Sequence, residues 1–146
     1  MNNKTILLVE DNPSDINLTR RAFEKGHITN DLVVAEDGQE ALDYIFGKGK
    51  YANRVISQLP TVILLDLKLP KISGLEVLKK IRATEKIKRL PVVILTSSKE
   101  EQDVAASYDL GVNSYIRKPI DFNQFAEAIK YLGLCWLVIN EPPPLL

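Results

Sequence analysis

Val62-Ile63-Leu64-Leu65-Asp66-Leu67-Lys68-Leu69-Pro70 sets a carboxylate at the end of four consecutive apolar residues, with a proline four positions on. An apolar run without alternation describes a strand covered on both faces, as in a parallel sheet packed between helices. Three other runs have the same form. Ile6-Leu7-Leu8-Val9 ends in Glu10-Asp11, Val92-Val93-Ile94-Leu95 ends in Thr96-Ser97, and residues 112–116 lead into Arg117-Lys118-Pro119. If these strands are parallel, three acids, a hydroxyl and an ammonium meet at one sheet edge.

Leu32-Val33-Val34-Ala35 supplies a further, shorter strand, and helical patterns separate the runs. Strands alternating with helices predict a doubly wound α/β fold. We expect one domain over residues 1–146, with 133–146 as a C-terminal extension. Asn12-Pro13 supplies a cap and a proline at the first helical position, and Gly26 can end the helix after Lys25. Asp37-Gly38-Gln39-Glu40 has the form of a capping box, and Ala41, Leu42, Ile45 and Phe46 then share an apolar face. Residues 47–60 are read as a frayed helix end and a surface loop, followed by a strand over 61–65. Ser73-Gly74-Leu75-Glu76 caps a helix with Leu75, Leu78 and Ile81 on its apolar face. Ser98-Lys99-Glu100-Glu101 caps another, which Gly111 can terminate. Asp121-Phe122-Asn123-Gln124 caps the last, whose face is Phe122, Phe125, Ala126 and Ile129.

Composition sets outer limits. Hydrophobic residues make up 45% and charged residues 26% of the 146, as in ordinary globular domains. The 19 acids balance the 19 bases, which argues against a broadly basic nucleic-acid surface. Lys79-Lys80, Arg82 and Lys86-Ile87-Lys88-Arg89 read as solvated charge. Cys135 is the single cysteine and cannot form an internal disulfide, so an intracellular, cytoplasmic location is expected. The first apolar run is too short for a signal peptide core, and no run approaches the ~20 residues that cross a bilayer. His27, the single histidine, reads as a loop residue without metal-ligating neighbours.

In open parallel sheets, ligands bind beyond the carboxyl ends of the strands. Three carboxylates gathered there repel one another and call for positive charge. Mg2+ is the natural choice, a hard cation that prefers oxygen ligands. Glu10, Asp11, Asp66 and the Lys68 backbone carbonyl are its candidate ligands. Asp66, on the central strand, is the candidate nucleophile for a phosphorus centre. Lys118 would add charge and Thr96 a hydroxyl donor. Taken singly, each residue has a blander role: a turn acid, a helix cap, a solvated lysine. Together, in this order on successive strands, they describe one site.

At these residues the chain resembles the receiver domain of two-component response regulators. The features that carry the resemblance are Glu10-Asp11, Asp66, the Asp66…Pro70…Gly74 spacing, Thr96 and Lys118-Pro119. The resemblance covers about residues 5–132. It implies a flavodoxin-like five-stranded parallel sheet in order 2-1-3-4-5. It implies Mg2+ on Glu10, Asp11, Asp66 and the Lys68 carbonyl, and phosphoryl transfer from a histidine kinase to Asp66, with slow return to the free aspartate. It further implies a cis Lys118-Pro119 bond and a switch in which Thr96 moves inward and the Tyr115 ring fills the vacated space. Such a protein is a phospho-acceptor switch and not an enzyme in the ordinary sense.

Residues 46–60 and the tail from Trp136 to Pro144 also resemble the small regulators paired with cyanobacterial phytochromes. That implies a light-regulated histidine kinase as partner and a homodimer through the last helix and tail, with Phe122, Phe125, Trp136, Leu137 and Ile139 as its surface. The alternative for the tail is that it folds back on its own sheet. With about a dozen residues after the matched segment, output is expected through contact with a downstream protein, without nucleic acid or membrane. Two rivals remain: a small Mg-dependent phosphatase with an aspartyl-phosphate intermediate, and an interaction module independent of phosphorylation. The phosphatase needs a second acid near Asp66, where position 68 is lysine. The module would not need the acids and lysine that are present.

Overall fold

The computed structural model describes residues 5–26, 28, 30–53, 59–96, 110–112, 114–117 and 122–132. The elements, in chain order, are β1 (Thr5–Val9), α1 (Pro13–Lys25), β2 (Asp31–Ala35), α2 (Gly38–Phe46), a 3-10 turn (Gly49–Tyr51), β3 (Val62–Asp66), α3 (Gly74–Ala83), β4 (Val92–Thr96), β5 (Ser114–Arg117) and α4 (Phe122–Leu132). The five strands form one sheet in the order β2-β1-β3-β4-β5, with every pair parallel. Residues 98–109 of the expected helix and the extension 133–146 lie outside the described residues. Gly111 has φ +73, the left-handed conformation expected of a helix-ending glycine.

Side-chain alternation along the strands explains both packed faces. Leu7 and Val9 of β1, Ile63 and Leu65 of β3, and Ile94 of β4 join the core beneath α2 and α3. Their neighbours Ile6, Leu8, Val62, Leu64, Val93 and Leu95 join the opposite core, with Ala22 and Phe23 of α1 and Phe125 and Ala126 of α4. A central strand covered on both sides is apolar up to its carboxyl end, and β3 is buried at all five positions, with Asp66 as its last.

Local signals place the helices. Asn12 Oδ1 accepts from the Ser14 and Asp15 N–H groups at 2.8 and 3.3 Å, and Pro13 opens α1. Ser73 Oγ accepts from the Glu76 N–H at 3.2 Å. Gly47, at φ +66, closes α2 in the left-handed conformation, whereas Gly26 ends α1 at φ −83. Strand boundaries differ from expectation by one or two residues. β2 starts at Asp31, β5 starts at Ser114, and β3 is displaced by one residue so that Asp66 is its last member. The buried residues of α3 are Gly74, Val77, Leu78 and Ile81, not Leu75. This is the i, i+3, i+4, i+7 stripe begun one position earlier, and Leu75 faces the cleft beside Asp66.

The segment after α2 is more ordered than a frayed end. The Tyr51 hydroxyl donates to Glu40 Oε2 at 2.8 Å, and Lys50 Nζ lies 2.8 Å from the same oxygen. Glu40 Oε1 accepts from the Glu36 N–H at 3.0 Å, so the box glutamate reaches the residue before the cap. The Tyr51 ring stands edge-on to Tyr44, with centroids 5.0 Å apart. Burial raises the Glu40 pKa, but the Glu36 N–H, Lys50 and Tyr51 outweigh it, and the carboxyl is held below its usual value. Stability from this cluster is therefore complete above the carboxyl's unfolded-state pKa and is lost as pH falls through the lower folded-state one. Tyr51→Phe is expected to lower stability by about 1 kcal/mol at pH 7. That deficit should shrink as pH falls through the lowered folded-state pKa of Glu40; urea melts over a descending pH series measure it.

Arg82 departs from the solvated role read for it. Its guanidinium donates to four backbone carbonyls: Leu110 at 2.6 Å, Lys88 at 2.9 Å, Leu90 at 2.8 Å and Gly111 at 3.0 Å. Burial lowers its pKa. It ties the end of α3 to the chain entering β4 and β5. Arg82→Gln is expected to cost about 2 kcal/mol in a denaturant melt. Arg82→Lys should recover less than half of that, because one ammonium cannot span a planar fan of acceptors.

Candidate phosphoryl-acceptor site

Strand register brings the acids together. Val9 pairs with Leu65, so the next residues, Glu10 and Asp66, leave adjacent strands side by side. Asp66 shares the parity of Val62 and Leu64, and Glu10 that of Ile6 and Leu8, so both continue the same face of the sheet. Glu10 is 0% and Asp66 6% exposed, while Asp11 stands in solvent. Ligating oxygens of Glu10, Asp11 and Asp66 lie within 4.8 Å of one another. Glu10 Oε2 also accepts from the Asn12 N–H at 3.2 Å, which links the acid pair to the α1 cap.

The loop from β3 to α3 closes around Asp66. The Lys68 N–H donates to Asp66 Oδ1 at 3.1 Å, and the Gly74 N–H donates to the Leu67 carbonyl at 2.9 Å. A Cβ on Gly74 would lie 2.0 Å from the Asp66 carbonyl oxygen. The Asp66…Gly74 spacing thus has a steric origin: helix backbone and strand backbone touch where only a hydrogen fits. A cleft of about 530 Å³ opens beside the acids, lined by Asp11, Leu67, Lys68, Leu69, Pro70, Ser73 and Leu75.

Two buried carboxylates and one exposed one, all oxygen donors at close range, fit a hard divalent cation. The concentration of like charge also requires a counter-charge. Thr96 ends β4 and Tyr115 lies within β5, in the two strands beyond β3. The Thr96 and Tyr115 side chains, and the whole of Lys118 and Pro119, lie outside the described residues. So do Trp136, Leu137 and Ile139.

Phe125 is a correction. At 1% exposure it is packed into the core beneath α1 and α4, so its apolar area is covered within the chain and does not belong to a dimer surface. Phe122 is half-buried, with Arg21 Cζ and Lys25 Nζ at 5.2 and 5.3 Å from its ring centroid. The sequence reading also passed over Gly38, which braces the loop between β3 and α3 from outside, and Lys71, which lies within that loop and faces Asp37. The Asp-Gly pair at 37–38 was a signal for a cap, not for a contact with residues more than 30 positions away. Among the described residues, no helix is long and apolar enough to cross a membrane.

Comparison with known proteins is consistent with this geometry. The response regulator receiver domain family matches residues 6–130. The response regulator Rcp1 of Synechocystis sp. is 40% identical over 134 residues, covering 92% of this chain and 89% of that protein. A structure of Rcp1 in its Mn2+-bound form has a TM-score of 0.83 at 38% identity, over 97% of this chain and 99% of that one. The phosphorylated cyanobacterial phytochrome response regulator RcpA superposes with a TM-score of 0.84 at 41% identity, over 97% and 99%. The bacteriophytochrome response regulator AtBRR is 54% identical, with a TM-score of 0.77 over 94% and 98%.

Proposed function

Because the chain belongs to the response regulator receiver family, we propose that it acts as a phosphorylation switch in phytochrome signalling, taking a phosphoryl group from a histidine kinase onto Asp66. The observation that carries this reading is the convergence of Glu10, Asp11 and Asp66 at the carboxyl ends of β1 and β3. An Asp66 carboxylate oxygen attacks phosphorus, the bond from phosphorus to the kinase imidazole nitrogen breaks, and the imidazole leaves with the electron pair. The product is an acyl phosphate on Asp66. The Lys68 N–H donates to Oδ1 and so helps to orient the carboxylate for attack. Thr96 and Lys118 are proposed to receive the phosphoryl oxygens.

Glu10, Asp11, Asp66 and the Lys68 carbonyl are proposed to hold Mg2+. That ion would supply the positive charge that lets a phosphoryl group approach three carboxylates. The chain is proposed to act as a switch with slow return to free Asp66, and not as a turnover enzyme. Movement of Thr96 and Tyr115 would re-form a surface read by a downstream protein. Phe122, with Trp136, Leu137 and Ile139, is proposed for a homodimer surface, and the cytoplasm is the proposed setting. The phytochrome pathway is supported by the likeness to RcpA and AtBRR.

Intact-mass analysis after incubation with Mg2+ and acetyl phosphate tests the acceptor. One labile phosphoryl adduct is expected on the native chain and none on Asp66→Asn; no adduct on the native chain would overturn the reading. For the pathway, transfer from a phytochrome kinase should differ between its two light states. Equal transfer in both states, or none, removes the assignment to light signalling.

A further inference from the structure

The loop over residues 67–73 walls the cleft beside Asp66, and an element outside the acid cluster braces it. Lys71 has φ +66, and the Ile72 N–H donates back to the Pro70 carbonyl at 2.8 Å. A three-residue turn closed by such a bond, with positive φ at its centre, is the rarer and more strained form of γ-turn. Lysine gains nothing locally from that conformation, so surrounding contacts must hold it there.

Those contacts come from the corner between β2 and α2. Asp37 Oδ2 lies 3.4 Å from Lys71 Nζ, and the Gly38 N–H donates to the Pro70 carbonyl at 3.3 Å. A Cβ on Gly38 would sit 1.9 Å from the Ile72 carbonyl oxygen and 2.7 Å from its carbon. The first turn of α2 is thus seated directly on the backbone of the acceptor loop. We propose that Asp37 and Gly38 are positioning residues for the acceptor site. They set the loop so that the Lys68 N–H meets Asp66 Oδ1 and orients the carboxylate for attack; the kinetic part of this inference rests on Asp66 being the phospho-acceptor.

The two Asp37 oxygens have separate tasks, which makes the idea testable. Oδ1 caps α2 by accepting from the Glu40 N–H at 2.7 Å, and Oδ2 faces Lys71. Asp37→Asn keeps the cap and removes the ion pair. Lys71→Gln removes it from the other side, and Gly38→Ala forces the corner and the loop apart.

The readouts are amide exchange of Lys68 in metal-free protein, the rate of adduct formation from acetyl phosphate at saturating Mg2+, and urea stability. Asp37→Asn and Lys71→Gln are each expected to speed Lys68 exchange about three-fold, the scale of an exposed ion pair. The double variant should exchange no faster than either single one. Gly38→Ala should speed exchange and slow adduct formation by about ten-fold or more. Amides of β1 and β3 should move less than Lys68. Native Lys68 protection in the ion-pair variants, or a uniform rise across all strand amides, overturns the proposal, and neither result depends on phosphorylation. A native chain that forms no adduct overturns the acceptor reading instead, while the exchange arm still decides this one.

Discussion

Asp66→Asn is expected to melt at a higher temperature than the native chain in metal-free buffer, and at a lower one in excess divalent cation. Carboxylates within 4.8 Å of one another repel by about 3 kcal/mol at an effective dielectric of about 20. Solvent around the exposed Asp11 screens part of this, so about 1 kcal/mol should be recovered when one charge is removed. Asparagine is isosteric and its Oδ1 can still accept from the Lys68 N–H, so the substitution isolates the charge. For a chain of this size that is a rise of roughly 2–4 °C. A cation at a hundred times its dissociation constant stabilises the native chain by about 2.7 kcal/mol. With one of the proposed ligands removed the variant should gain less, and the order of the two melts should invert. Thermal melts with chelator and with Mg2+ measure both halves. Equal melts in both buffers would show that the acids neither repel appreciably nor share an ion.

Gly74→Ala is expected to be the most damaging small substitution near the site. The added carbon would lie 2.0 Å from the Asp66 carbonyl oxygen, 2.7 Å from the Leu67 Cα and 2.9 Å from the Asp66 carbonyl carbon. All three are backbone atoms, so no side chain can rotate away. Restoring ordinary contact requires α3 to back off from β3 by roughly 1 Å or more. The hydrogen bond from the Gly74 N–H to the Leu67 carbonyl stretches with it. The expected loss is about 3 kcal/mol or more, at the upper end for overpacking, with the urea slope unchanged. Ser73→Ala, next door, removes only a cap and should cost about 1 kcal/mol. A Gly74→Ala chain no less stable than Ser73→Ala would mean that the strand and helix backbones do not meet as described.

The acid cluster was legible because each of its parts is local. An unbroken apolar run announces a strand with two covered faces, and the residue after it must emerge at the sheet edge. Glu10 and Asp66 follow such runs directly, and their neighbours Val9 and Leu65 are paired in register. The α3 stripe was misjudged for an equally local reason. Its first member is Gly74, which has no apolar side chain to mark it, so the period was counted from Leu75. Phe125 shows a different limit. Spacings of three and four identify an apolar face but do not say whether it meets the chain's own sheet or a second copy. Here the sheet takes it.

Arg82, Gly38 and Lys71 were opaque because their partners are distant or are backbone groups. A run of bases gives no hint that one guanidinium will find four carbonyls, two of them supplied from residues 110–111. An Asp-Gly pair predicts a helix start, and it does start α2, but the contact with Ile72 depends on how β2 and β3 flank β1. Patterning along the chain dictated the strands, the caps and which faces are buried, because these depend on interactions within a few residues. The separation of the carboxylates, the seat of α2 on the acceptor loop and the anchoring of Arg82 arose from assembly. Burial requires that a face be covered but leaves open which remote segment covers it, and sheet order and register make that choice.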